Sequence, residues 1–578
     1  QPYANFAPQI GFTYSPGGDQ KTVIRGGFGI YYESDVFNNT TNARGELIKK
    51  GLFFAEKALC GGTNTLTLPD GTVVDNDGGV PIATLCSEPL SQSGSHFASL
   101  QKQYQDATKA AGAAVNAGYV GNTLTIDDGA YAAPYRTPYS EQWNAGVQRE
   151  IYKGAILEVD YVHNSTLKIA QQIDVNREGA ARTLNSAAAT NAIATTTSAF
   201  HCAGGASSAA ITCAIAAGAR IPDFAGNGLD SGTNFLGNNP ASYNGKTIAT
   251  GAAFPGINPQ LGQGLFLLPV GRSGYDALQA VFKQQKAHPA PGIMNSNLQL
   301  AYSFSHSSST ANPATNNGNS GVGDQFFSSP SYDYDNPTQY MGPSGLDHTQ
   351  EVSFGGSMTL KYGPQIGIIG HFFTSAATNL YLDNGGTSGS GIGGIFQTDV
   401  TGDGTTGDIV PGTNPGAYMR QYKGTSLHKL IDQYNATQAG RLTPAGQALI
   451  AAGLFTQQQL VLLQATQQPI AQVPEAHAPE NPLYRNLDIS IAYPIHLSRL
   501  REGMTLVPGI SFYNVGNFSN FKDYTDGTLS NTTTGNSEGF LNGPNTFAGH
   551  DQNRVQRGSG TSDIGGPRTA EFQLKLDF

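Results

Sequence analysis

Along most of the chain apolar and polar residues alternate in short bursts, and the bursts come in pairs. Ile10, Phe12 and Tyr14 alternate with Gly11 and Thr13, a Pro-Gly-Gly turn follows, and residues 22–32 run back with Ile24, Phe28, Ile30 and Tyr32 on one face. Residues 139–151 and 155–163 are joined only by Tyr152-Lys153-Gly154, and their apolar faces are Trp143, Ala145, Val147 and Ile151, then Leu157, Val159 and Tyr161. Further pairs are 275–283 with 297–305, 352–360 with 366–372, and 487–493 with 506–515. An eleventh burst closes the chain, with Ala570, Phe572, Leu574, Leu576 and Phe578 alternating with Glu571, Gln573, Lys575 and Asp577. Period-two alternation is the mark of a strand with one face in an apolar phase and the other in water. Pro508 inside the tenth burst lacks a ladder donor and predicts an edge or a bulge there.

The connections alternate as well. Within pairs they are short; between pairs lie the long segments 33–136, 165–272, 306–349, 376–483 and 517–566, rich in Gly, Asn, Ser, Thr and Ala. Compact soluble domains seldom carry loops so long, whereas transmembrane barrels have short turns on the periplasmic side and long loops outside. The spacing therefore predicts an all-β fold, a transmembrane antiparallel β-barrel spanning 1–578 with about eleven strands. Single-chain bacterial barrels have even strand numbers, and eleven is half of twenty-two, so the chain reads as the C-terminal half of such a barrel. Some loops should be partly helical. Residues 443–453 combine an N-cap Thr443, Pro444 at the first helical position and Gly453 beyond the end. Residues 427–434, 456–463 and an Ala-rich stretch at about 97–116 predict further helices.

Composition agrees. Charged residues make up 13% of the chain, there are 73 Gly, 26 Tyr and 28 Phe against one Trp, and the net charge is −10. That balance argues against a nucleic-acid partner, which needs clustered Lys and Arg. No apolar run reaches the ~18 residues of a membrane-spanning helix, a test that barrel strands do not face. The four cysteines form two local pairs, Cys60 with Cys86 and Cys202 with Cys213, which predict disulfides within two outer loops in an oxidising compartment. The sequence opens at Gln1 without an initiator Met or signal peptide, as expected for a processed product or a fragment.

A set of strand segments completes the reading. Residues 5–14 lead into Lys21-Thr-Val-Ile-Arg-Gly-Gly-Phe-Gly-Ile-Tyr-Tyr32; then come Gln142-Trp-Asn-Ala-Gly-Val-Gln-Arg-Glu150, Tyr275-Asp-Ala-Leu-Gln279, Leu300-Ala-Tyr-Ser-Phe-Ser305, Phe512-Tyr-Asn-Val-Gly-Asn-Phe518 and the closing segment from Pro567 to Phe578. Together they resemble the C-terminal barrel part of large TonB-dependent, Oar-like outer-membrane receptors, over nearly the whole chain and through strands rather than loops. The resemblance implies a twenty-two-stranded barrel in the bacterial outer membrane with extracellular loops, an N-terminal plug, uptake of a ligand energised through TonB, and insertion by the barrel assembly machinery, which reads a terminal Phe. The plug and the TonB-contacting segment are not in this sequence. The alternative is a surface-exposed binding or structural protein that keeps the barrel without energised transport.

Candidate chemistry is sparse. Asp399, Thr401, Asp403 and Thr405 place oxygen ligands at every second residue with Gly404 at position six, which resembles a calcium loop of EF-hand type; position twelve is Val410, so Asp408 would have to supply the last carboxylate. An Asx-rich turn is the simpler account. Residues 389–394 match GxGxxG by letter but precede no helix. Glu158 and Asp160 on the polar face of a strand read as lumen lining, and Tyr332, Asp333, Tyr334 and Asp335 as a solvated loop or the wall of a sugar or peptide path. No HExxH or GxSxG motif occurs, the 11 His are dispersed, and no cofactor other than calcium is implied. The expectation is transport machinery, not an enzyme.

Overall fold

The structure is a computed structural model that describes residues 5–18, 21–33, 59–68, 72–111, 126–132, 135–231, 242–243, 246–247, 252–259, 264–310, 329–330, 333–344, 347–375, 377, 379–383, 392–418, 420–473, 483–499, 501–518, 520, 528–529, 546–547, 550–551 and 567–578. Its main sheet is a meander of β1 (Gln9–Tyr14), β2 (Thr22–Tyr32), β3 (Tyr139–Tyr152), β4 (Ala155–Asp174), β5 (Gly264–Ala287), β6 (Ile293–Ser309), β7 (Gln350–Leu360), β8 (Gln365–Phe373), β9 (Tyr484–Ala492), β10 (Thr505–Tyr513) and β11 (Thr569–Asp577). Each pairs antiparallel with the strand before and the strand after it. Among the described residues β1 pairs only with β2, and β11 only with β10.

Register separates the two faces. Ile24, Val147, Val159, Ala280, Tyr302, Val352 and Phe372 are successive cross-strand partners from β2 to β8. One residue along, on the opposite face, the row is Arg25, Gly146, Asp160, Gln279, Ser303 and Glu351. A slip of one residue would exchange the rows, so the alternation fixes the pairing. Among the described residues no second layer covers the apolar row: Val147 is 44% exposed and Tyr302 37%, and on the last strand Phe572 is 81% exposed. Near its far end Trp143 lies 5.0 Å from the Tyr161 ring and 5.3 Å from that of His163.

Three expectations need correction. β4 and β5 are longer than 155–163 and 275–283, so the ends of segment 165–272, through Asp174 and from Gly264, are strand; β6 likewise runs past 305 to Ser309. The added length pairs from Arg272–Leu167 to Leu265–Asp174, with bulges on either side of Gly271 that leave Lys168 and Val270 out of the ladder. Its outer edges are covered by parallel segments, Ile126–Tyr131 on β5 and Ser329–Pro330 on β4, which blunts what would be exposed strand edges. Pro508 lies inside the sheet, paired with Leu574 of β11. On the β9 side its carbonyl accepts the Tyr493 N–H at 3.0 Å, regular pairing stops at Ala492–Gly509, and it resumes at Ile495–Leu506. The missing proline donor interrupts that ladder for two residues and does not bulge it.

The long loops fold. Helices are α1 (Leu90–Ala111), α2 (Ser186–Ala199), α3 (Ser208–Ala216), α4 (Ile221–Gly226), α5 (Thr425–Thr437), α6 (Pro444–Ala451) and α7 (Gln457–Leu462). The Thr443 hydroxyl caps α6, and Thr456 with Gln459 forms a capping box on α7. α1 begins earlier than the Ala-rich stretch suggested, and 112–116 lie outside the described residues. Ile193, Ile211, Phe224, Phe254, Phe396, Leu449 and Leu460 share one buried core, drawn from segments 165–272 and 376–483. Cys202 is bonded to Cys213 beside it, with Cα atoms 5.8 Å apart, and Cys60 to Cys86 in the first loop, at 5.3 Å.

With the apolar row against hydrocarbon, Leu300→Arg in β6 should cost about 2–4 kcal/mol of stability in lipid vesicles. Ser303→Arg on the polar face of the same strand should cost less than 1 kcal/mol by the same rule. Denaturant titration of the two reconstituted variants compares them; equal costs would contradict the assignment of faces. Trp143, the one tryptophan, should be quenched by lipids brominated on their acyl chains and protected from aqueous acrylamide.

Candidate functional site

The acidic loop lies where three of the long segments meet. Gly402 and Gly404 have φ of 78° and 100°, and a Cβ on Gly404 would stand 2.1 Å from the Glu178 carbonyl oxygen. Only glycine lets the loop pass that close to segment 165–272. The Ala181 N–H donates to the Gly402 carbonyl at 3.0 Å. From segment 306–349 the Tyr334 N–H donates to Asp403 Oδ2.

Inside the loop the five sequence-predicted residues come together. Asp399 accepts the N–H groups of Gly402 and Gly404, the latter at 3.1 Å. Asp408 Oδ2 accepts those of Val400 and Thr401 at 2.9 and 3.1 Å. Thr405 turns its N–H to Asp403 Oδ1 at 2.8 Å, and its hydroxyl lies 2.6 Å from the same oxygen and 2.8 Å from Asp408 Oδ1. The Thr401 hydroxyl sits 3.2, 3.1 and 3.2 Å from oxygens of Asp399, Asp403 and Asp408. One hydroxyl donates one proton, so each threonine serves one of its carboxylates at a time.

Electrostatics make the loop costly as it stands. Asp399, Asp403 and Asp408 are 0, 1 and 4% exposed. Burial pushes Asp399 up to about 7, Asp403 above the usual carboxylate range and Asp408 well above it; the negative charge of Asp403 adds to the rise at Asp399, and that of Asp399 to the rise at Asp408. Among the described residues none of the three forms an ion pair. Like charges held this close cannot all ionise without a proton or a cation between them. The oxygens nevertheless face donors of their own loop, and among the described residues no three His, Cys, Asp or Glu side chains are arranged to hold a metal ion. Val410, at position twelve, is fully buried with Leu380, Tyr418 and Leu427, so Asp408 is the carboxylate that reaches the group.

The neighbouring acidic residues turn out to be stitches. Asp333 is buried and accepts the N–H groups of Asp335 and Asn336, both at 2.8 Å. Asp335 binds Arg177 and Arg182 of segment 165–272, each at 2.9 Å. Of the four, Asp333 is buried, Tyr334 half-buried and Asp335 exposed, and Tyr332 lies outside the described residues. Asp347 holds Arg420 of the next segment, Nε to Oδ2 2.8 Å. Sequence reading missed both arginine links, since partners so far apart in the chain share no local pattern. In residues 389–394 the first three positions lie outside the described residues, and Gly394 opens a 3-10 turn.

On the polar face of the sheet, Glu158 and Asp160 flank Arg25, whose Nε donates to Asp160 Oδ1 at 3.0 Å and whose other nitrogen reaches Glu158. Lys283 Nζ stands 3.6 Å from Glu158 Oε2. Two cations and two anions balance there, among Asn144, Gln279 and Gln299. The alternation of β2 already placed Arg25 on that face.

The sequence matches the family described as outer membrane beta barrel domain over residues 1–548. The chain belongs to that family. This outer-membrane barrel protein is also similar to two solved structures. One is the outer membrane transporter YddB from Escherichia coli, at a TM-score of 0.36 and 7% identity over 99% of this chain and 40% of that one. The other is a mutant of the ferric enterobactin receptor PfeA from Pseudomonas aeruginosa, at 0.32 and 7% over 99% and 40%. The chain thus spans about two fifths of the length of each. No curated protein matches it.

Asp230 gives the long loops of this barrel protein a testable pH response. It is buried, and its oxygens take the Gly393 N–H at 2.6 Å and the Ser231 N–H at 2.7 Å. Burial still raises it from 3.8 to about 6. A carboxyl whose folded value is raised favours folding fully below its unfolded value, and that contribution is lost as pH rises from about 4 through about 6. Asp230→Asn should therefore raise the melting temperature of the long loops at pH 7.5 and leave it nearly unchanged at pH 4. A gain confined to low pH would reverse the argument.

Proposed function

We propose that this chain is part of the barrel wall of a TonB-dependent outer-membrane receptor that takes up a ligand. The observation that carries the reading is the meander itself: one apolar face, one polar face, short turns at one end and folded loops at the other. The polar face lines the lumen, the long loops form the extracellular recognition surface, and further strands complete the wall beyond β1 and β11. Strand directions bear on that completion. In an antiparallel meander the first and eleventh strands run the same way, so antiparallel closure takes an odd number of additional strands. An N-terminal part of the same polypeptide would supply them together with the plug and the TonB contact. In the native host, loss of this protein and loss of TonB should abolish uptake of the same solute, measured by growth on a panel of sole carbon and iron sources. Separate phenotypes would sink energised transport and favour the alternative, a surface-exposed binding protein, for which the packed, disulfide-tied outer loops also speak.

We propose further that a calcium ion joins the 399–408 loop, held by Asp399, Asp403 and Asp408 with Thr401 and Thr405 beside them. What supports this is three buried carboxylates without an ion-paired cation; binding would turn their oxygens from loop donors to the ion. Addition of 1 mM calcium after chelation should raise the melting temperature of the outer loops by several degrees, at about 1 kcal/mol per 2–4 °C for a unit of this size. Magnesium should not substitute, and Asp399→Asn with Asp408→Asn should remove the effect. An unchanged melting curve would leave protons as the counter-charge.

A further inference from the structure

The short connections share a chemistry that the chain as a whole lacks. Lys21 precedes β2, Arg149 stands near the end of β3, Lys153 is in the β3–β4 turn, Lys286 near the end of β5, Lys361 in the β7–β8 turn, and Arg499 and Arg501 between β9 and β10; all are exposed. The short connection before β2 also contains Asp19 in the sequence, and among the described residues the acids at the same end are Glu150, Glu502 and Asp577. Glu150 accepts the Gly154 N–H at 3.3 Å, and Asp577 is held by Lys575 at 3.0 Å. This cationic excess sits in a chain of net charge −10. Among the described residues Arg149, Lys153, Lys286, Lys361, Arg499 and Arg501 form no ion pair.

Their placement points the charge at the membrane. Arg149 pairs with Leu157 and Lys286 with Ser296, which puts both on the apolar face of the sheet, below Val147 and Phe282. Exposed rings lie at the same end: Tyr14 at 60%, Tyr152 at 46%, Tyr362 at 80% and Phe578 at 80%. Lys361 Nζ is 5.2 Å from the Tyr362 ring centre, and the Arg501 guanidinium 5.9 Å from that of Phe578. Amphipathic rings settle at the interface and long cationic side chains reach past it to the headgroups.

We propose that this rim binds anionic phospholipid headgroups of the leaflet on the short-turn side, the phosphate oxygens meeting Lys and Arg at successive turns around the sheet. A basic cluster is drawn to an anionic leaflet, and the attraction is screened by salt. The rim thereby anchors the short-turn end of the sheet at the headgroups of that leaflet.

The full chain reconstituted in phosphatidylcholine tests this, with spin-labelled phosphatidylglycerol and phosphatidylcholine compared by electron paramagnetic resonance for the fraction held at the protein surface. Phosphatidylglycerol should be enriched about threefold or more, and the preference should fall to near one in roughly 0.5 M NaCl. It should also fall in a variant carrying Lys153→Gln, Lys286→Gln, Lys361→Gln, Arg499→Gln and Arg501→Gln, while Lys429→Gln with Arg441→Gln in the outer loops leaves it intact. Lys153→Gln and Lys361→Gln, made singly, each give a partial loss and keep the test open if the fivefold variant does not fold. No preference in the unmodified chain overturns the proposal, as does a preference that survives the five substitutions. Salt-sensitive capture of an acidic protein without lipid preference also overturns it.

Discussion

Everything in this molecule follows from the need to pair every backbone N–H and C=O where no water can reach them. Each unpaired group in hydrocarbon costs several kcal/mol, so strands must lie side by side in unbroken order, and the meander from β1 to β11 is the shortest-range way to do that. Once the backbone is paired, side chains have two faces to choose between, and the period-two alternation decides which face takes which. The run of partners from Ile24 to Phe372 and the parallel run from Arg25 to Glu351 are the two sides of one decision. Pro508 marks the tolerance of the rule. One missing donor interrupts a ladder locally, and pairing resumes at Ile495.

That same logic explains what could be read from the sequence. Strand positions and faces were legible because a membrane wall forces a strict local pattern. The extended upper parts of β4 and β5 were not, because beyond the apolar zone the pattern loosens: Gln171 stands where the period of Leu167, Ile169 and Ile173 calls for an apolar residue, and a bulge at Lys168 shifts the faces. Helices with strong local caps, such as Thr443 before α6, were legible as well. α2 and α3 were missed, although Asn185 and Ser207 cap them, because their Ala- and Thr-rich faces show little contrast until Phe254, Phe396 and Leu460 pack against them from elsewhere in the chain.

The acidic loop divides along the same line. Its ligand-like spacing was visible in ten consecutive residues, and the structure does gather Asp399, Thr401, Asp403, Thr405 and Asp408. The role of the glycines was not visible, since the close approach of Gly404 to Glu178 joins positions more than two hundred residues apart. The same holds for Arg177, Arg182 and Arg420, whose carboxylate partners come from a different loop. Distant side chains bind the long segments into a common framework, with buried charge at its centre.

The β4–β5 hairpin has a mechanical consequence. β5 has 24 residues, about 80 Å at roughly 3.3 Å each. Tilted by the usual ~40°, it rises about 60 Å, more than twice the ~25 Å apolar band of such walls. The surplus is a stiff mast, loaded in shear along many parallel hydrogen bonds whenever something pulls on the loops it carries. Any tug on those loops is delivered straight down that mast into the membrane wall.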